Sequence, residues 1–298
     1  MSAVELSPLH RPQDRLRRRR VFNRGMEALA WLAAAIAVFF LGVVVWSVAQ
    51  RGWSQLNLDF LTKSQVQFEP AVPQGLANAF AGSLVLVGLA TAMALPFGIL
   101  IAVYVNELAP RPIRSAIGLT LDVLAGVPAI VIGFFVYGLI VVAHGQSAYA
   151  GAFALAVIML PFVYRATVEV LALVPNSLRE AGLGVGAPRW RTTLGIVLPQ
   201  TIGGVLTGTT LAVARVAGET APLLFTCSLA PNGIHWNPSG AIQSVPVAVF
   251  ELSDSAEPSD HARAWAAALV LILFILVASL TARWLATRSK RKIMRAGR

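Results

Sequence analysis

Three observations predict an all-α integral membrane protein of six transmembrane helices with both termini cytoplasmic. The chain has 298 residues, of which 56% are hydrophobic and only 13% charged, at a mean hydropathy of +0.69. A soluble domain carries about 25% charged residues, so composition alone favours the membrane. Six apolar runs fall at about 27–49, 77–105, 123–143, 149–167, 200–228 and 263–286. Each is near the roughly 20 residues that cross a hydrocarbon layer about 30 Å thick. Finally, with both ends inside, twenty of the 24 Lys and Arg lie on the cytoplasmic side, against Arg51, Lys63 and Arg263 outside and Arg215 within a run. That asymmetry sets the orientation and absorbs the net charge of +10, which therefore carries no signal for nucleic acid.

The elements follow in order. Residues 1–26 form a basic cytoplasmic segment containing Arg15, Arg17, Arg18, Arg19 and Arg20. The apolar run behind it is longer than the hydrophobic part of a signal peptide, so it reads as a retained first span. The membrane domain covers 27–287, with a cytoplasmic loop at 168–199 and an acidic external loop at 229–262 that holds Glu251, Asp254, Glu257 and Asp260. A basic tail, 288–298, closes the chain. Pro96, Gly126-Val127-Pro128, Pro161 and Gly203-Gly204 interrupt the apolar runs, where packing accommodates them as kinks or close approaches. Cys227 is the only cysteine, which excludes an intramolecular disulfide.

The most informative stretch lies between the fourth and fifth runs. Ser177 followed by Glu180 fits a capping box and predicts a short helix from about Leu178. Ala181 and Gly182 give it little side-chain bulk, Gly184 and Gly186 permit a sharp turn, and Pro188 suits the first turn of a second helix. The expected product is helix, bend, helix at the membrane surface. Glu180-Ala181-Gly182, with Gly186 six residues after the glutamate and then Ile196-Val197-Leu198-Pro199, resembles the EAA motif of ABC-importer permeases, with Gly in place of the second Ala. The resemblance implies MetI-like permease architecture. It also implies that residues 178–190 are the coupling helix seated in a cytoplasmic ATPase, with Glu180, Ala181, Gly182 and Gly186 as its coupling residues. An ordinary capped surface helix is the competing reading.

The fifth run holds Arg215 and Glu219. Charge at the bilayer centre costs about 2.5–3.5 kcal/mol on the insertion scale, so both should face protein, water or each other. Spacing i, i+4 on one helix allows a salt bridge, and the arginine fork is suited to an oxyanion. The pair reads either as part of a polar pathway or as a packing device. The stretch from Arg215 through Gly218-Glu219-Thr220-Ala221-Pro222 to Leu224, with Gly126 to Gly133 and Leu95 to Ile99, is similar to the phosphate-importer permeases of PstA type. That likeness implies a permease subunit of an ATP-driven phosphate importer in the bacterial inner membrane. It places Arg215, Glu219 and Thr220 on the substrate pathway. The implied partners are a PstC-like second permease, a PstB-like ATPase dimer and a PstS-like external phosphate-binding protein.

No G-x-x-x-x-G-K-[ST] cradle occurs, so ATP and Mg belong to the partner ATPase, and this chain is read as non-catalytic and cofactor-free. His10, His144, His235 and His261 are scattered, without metal-ligand spacing beside Cys227. Two rival functions stay open at this stage. One is an ion-gradient-driven secondary anion transporter with Glu219 as proton carrier, and the other is a nontransporting membrane scaffold.

Overall fold

The structure, a computed structural model, describes residues 13–64, 74–228 and 233–296. Its helices are α1 (Gln13–Gly52), α2 (Leu58–Thr62), α3 (Ala77–Val103), α4 (Arg111–Gly126), α5 (Ala129–Val136) and α6 (Val142–His144), then α7 (Ala148–Ala172), α8 (Asn176–Gly184), α9 (Arg189–Thr192), α10 (Leu198–Val216), α11 (Ala221–Thr226), α12 (Val245–Ser253) and α13 (Pro258–Ala296). The first unit ends at Gln50 and, among the described residues, holds α1 up to that point, a helix that runs unbroken through the basic segment into the first apolar run. The packing below belongs to the second unit, from Arg51 onward.

Five helical stretches are long and apolar enough to span a membrane, and α4 with the α5 to α6 segment supplies the sixth as a bent pair. The third apolar run is therefore not one straight helix. It breaks at Val127-Pro128, where the axes turn by 97°. Proline lacks the N–H that would continue the ladder and pushes the residue before it out of the helical region, and Val127 sits at φ −69°, ψ 130°. Pro96 and Pro161, by contrast, remain inside α3 and α7.

The second unit is organised around α3 against α7. Ala90, Ala94, Ala152, Ala156 and Met159 are buried there with Leu86 and Leu155. Small residues matter because lipid tails are as apolar as the helix faces, so close van der Waals packing drives association. A Cβ on Gly98 would stand 2.7 Å from Val163 Cγ1, and one on Gly204 would stand 2.5 Å from Val170 Cγ1. Gly208, one turn further along α10, meets Ala166 in the same way. Gly204 and Gly208 thus form a groove on α10 that receives α7.

The acidic loop expected at 229–262 packs against α3 and includes α12, residues 229–232 lying outside the described set. Its backbone crosses α3 at Gly82, where any Cβ would collide with the Gln243 carbonyl. Asn78 Nδ2 donates to Gln243 Oε1 at 2.6 Å, and Gln243 Nε2 donates to Glu251 Oε2 at 3.0 Å. The Val245 N–H donates to Ser83 Oγ at 2.8 Å, while Ser244 caps α12.

Burial raises the Glu251 pKa above the ordinary carboxylate value, and the Gln243 hydrogen bond offsets this only partly. The folded state therefore holds the Glu251 proton more tightly than the unfolded chain does. Its contribution favours folding at acidic pH and declines as pH rises from the ordinary carboxylate range through the raised value. Glu251→Gln keeps an acceptor for Gln243 and removes this decline. In detergent, the melting midpoint of the variant relative to the native protein should rise between pH 4 and pH 8. A difference independent of pH would contradict the assignment.

Candidate functional site

The bend between the fourth and fifth apolar runs is built from α8, a turn and α9. Helix α8 begins at Asn176 behind Pro175, with no side-chain cap. The capping box expected from Ser177 and Glu180 is therefore not formed. The helix starts before Ser177, which leaves that residue inside the first turn rather than at the N-cap. Proline at the cap fixes the backbone entry, and the Pro175 carbonyl accepts from the Leu178 N–H at 3.2 Å. Of the two glycines expected to turn the chain, Gly186 does so at φ +82°, a region that a β-carbon disfavours. Pro188 stands at the N-cap of α9, one position ahead of the expected first turn.

Gly182 is the buried residue of α8. A Cβ there would lie 2.6 Å from Thr192 Cγ2 and 3.0 Å from Ile196 Cδ1, so α8 rests directly on α9 and the π-helical turn that follows it. The opposite face is open. Glu180, Ala181, Leu183, Val185 and Trp190 are exposed, with Val185 at 84%. The Arg191 guanidinium lies over the Trp190 ring at 5.2 Å. Apolar and basic side chains displayed together on this open face make a surface suited to protein contact.

The second region surrounds Arg215. Helix α10 ends at Val216, and Ala217–Thr220 form a turn before α11, which has Pro222 in its first turn. Arg215 and Glu219 are consequently not on one helical face, and among the described residues no ion pair joins them. The Gly218 N–H donates to the Arg215 carbonyl at 3.2 Å, and the Glu219 N–H to that of Val216 at 3.1 Å. The exposed Arg215 side chain instead places its guanidinium 4.6 Å from the Phe162 ring centroid on α7. Glu219 and Thr220 are half-buried in the turn.

Arg165, one helical turn after Phe162, reaches Asp122 on α4 at 2.5 Å. The charge count left only Arg215 within a run, but Arg165 falls inside the 149–167 run and on α7, which extends to Ala172. Arg179 and Glu107 were also missed. They form a largely buried ion pair at 2.8 Å, with 20% and 8% side-chain exposure. A signal was present, since Glu107 is the only carboxylate between Glu69 and Asp122, at the end of an apolar run.

Two segments that looked family-specific meet in space. A Cβ on Gly133 of α5 would stand 2.5 Å from Pro222 Cα of α11, and Phe134 and Phe225 pack edge to face with centroids 6.0 Å apart. The Arg215 turn is thus braced by the helix after the Pro128 break. Among the described residues no group of three or more His, Cys, Asp and Glu is placed to hold a metal ion.

Residues 94–291 match the family described as binding-protein-dependent transport system inner membrane component. The chain is 37% identical over 268 residues to the phosphate transport system permease protein PstA of Haemophilus influenzae, covering 89% of this chain and 94% of the relative. It is 38% identical over 283 residues to PstA of Xylella fastidiosa strain 9a5c, covering 93% and 97%. It is 36% identical over 288 residues to PstA 1 of Mycobacterium tuberculosis strain H37Rv, covering 92% and 91%. Among solved structures, a bacterial alginate ABC transporter in complex with its alginate-bound periplasmic protein gives a TM-score of 0.62 at 15% identity, over 93% of this chain and 96% of that one. An inward-facing MetNI methionine ABC transporter gives 0.57 at 16% identity, over 72% and 94%. Both likenesses establish the importer-permease fold. From these matches, the chain is a multi-pass, non-catalytic inner-membrane permease that belongs to the binding-protein-dependent transport system inner membrane component family and, within it, groups with the PstA permeases.

Proposed function

We propose that this chain forms half of the translocation pathway of an ATP-driven importer of inorganic phosphate. Its companions are a PstC-like second permease, a PstB-like ATPase dimer that binds the ATP and Mg, and a PstS-like external phosphate-binding protein. The observation that carries the reading is the likeness to phosphate permeases at 36–38% identity along nearly the whole of both chains.

Two further features support it. The α8 to α9 bend exposes Glu180, Ala181 and Gly186, while the buried Gly182 seats α8 on α9, and the exposed surface serves as the seat for the ATPase. Closure of the ATPases around ATP pushes this bend, and the spans change from inward- to outward-facing. Arg215, with Glu219 and Thr220 in the turn after it, supplies the polar stretch of the pathway. An exposed arginine held by an aromatic ring rather than a carboxylate keeps its N–H donors available to an oxyanion.

The test is reconstitution with the three companions in proteoliposomes. Labelled phosphate uptake should require both ATP and the binding protein. Uptake that persists without the ATPase and follows a proton gradient would overturn the proposal in favour of a secondary transporter.

A further inference from the structure

The coupling bend touches the spans in two different ways. Under Gly182 the contact with Thr192 and Ile196 is van der Waals packing without a hydrogen bond, so it resists compression but has no fixed direction along the helix. At Arg179 the contact is directional, because all three guanidinium nitrogens are engaged. Nε donates to Glu107 Oε2 at 3.0 Å and Nη2 to Glu107 Oε1 at 2.8 Å. Nη2 also donates to the Leu171 carbonyl at 2.9 Å. Nη1 donates to the Val174 carbonyl at 2.6 Å and to Asn176 Oδ1 at 3.3 Å.

Two of these acceptors, Glu107 and Leu171, belong to different spans, while Val174 and Asn176 are local to the start of α8. Leu171 is in the last turn of α7, where its carbonyl accepts from the Val174 N–H at 3.3 Å and carries partial negative charge that favours a cation. Glu107 lies in the π-helical turn Tyr104–Leu108 that closes the α3 span, and Asn106 Nδ2 braces its carboxylate at 2.7 Å. Arg114 of α4 donates to the Asn106 carbonyl at 2.9 Å, joining a third element to the same corner. Arg179 is thus the hub through which the first turns of α8 hold the ends of α3 and α7 together.

We infer that Arg179, fixed by Glu107, is a positioning residue that converts displacement of the coupling bend into movement of the α3 and α7 spans. The inference rests on the coupling role proposed above. A planar fork transmits force in a fixed direction because its bonds are mutually oriented; a lysine ammonium, a point charge with three donors on a flexible stem, retains the attraction and loses that geometry. An exposed salt bridge would be too weak and too screened for this purpose, whereas this one is largely shielded from water.

The test uses the assembled importer in proteoliposomes with phosphate and its binding protein. It reads co-purified ATPase, ATP hydrolysis, and phosphate moved per ATP. Arg179→Gln should keep the ATPase bound and hydrolysing while phosphate per ATP falls about tenfold or more. Arg179→Lys should recover part of the ratio, and Glu107→Gln should lower it about threefold or more. A normal ratio in Arg179→Gln overturns the inference. If that variant does not assemble, Glu107→Gln decides: an assembled complex with a reduced ratio supports the relay, and either a normal ratio or loss of the bound ATPase overturns it. The coupling reading fails by a separate result, an ATPase that remains bound in undiminished amount when Gly182 is replaced by leucine.

Discussion

Arg215→Gln is expected to lower phosphate uptake by about one to two orders of magnitude in an importer that still assembles. A hydrogen bond to a charged group is worth roughly 1.5–3 kcal/mol, and each 1.4 kcal/mol is a factor of ten. Glutamine supplies donors without charge and without the paired geometry of the fork. Assembly should survive because Arg215 is exposed and its contact is the Phe162 ring, worth about 0.5–1 kcal/mol at such a site. Arg215→Lys should be intermediate, since it retains attraction for an anion and loses the fork. Wild-type uptake in the glutamine variant would remove Arg215 from the pathway.

Gly182→Leu is expected to abolish transport for a different reason. The Cβ alone meets Thr192 and Ile196, and the rest of leucine has no space, so α8 must lift from α9. Overpacking of a closed contact costs about 1–3 kcal/mol, and the docking surface loses its shape at the same time. Uptake should fall to background and the co-purified ATPase should drop several-fold. Gly182→Ala should be far milder, because a single methyl requires only a local shift of the Thr192 side chain and not the lifting of α8. Where the motif of related importers has alanine, this chain has glycine packed tightly against those two neighbours. Equal transport by the alanine and leucine variants would contradict this account of the contact.

The sequence carried the fold further than it carried the sites. The spans were legible because hydrocarbon thickness imposes a length on each helix. Hydropathy could not reveal the break at Val127-Pro128, because α4 ends and α5 begins within one apolar run and only the proline marks the turn. The same limitation hid the end of α10. Composition continues unchanged past Val216, so Arg215 and Glu219 looked like neighbours on one helix although a turn separates them. At the bend, Gly186 was readable because a positive φ selects glycine, whereas the start of α8 was misjudged because Pro175 displaced Ser177 from the cap. The Arg179 and Glu107 pair is 72 residues apart in the chain, and helical spacing carries no information at that separation.

Val185→Cys in a Cys227→Ala background tests the central relay most directly, since Val185 is exposed at the tip of α8 and Cys227 is the only native cysteine. In native membranes, residue 185 should react with an impermeant thiol reagent only when it is supplied from the cytoplasmic side. A short crosslinker should join that residue to the ATPase, with a yield that changes on ATP binding. Labelling from the external side, or a cytoplasmic thiol that never crosslinks to an ATPase, would contradict the account.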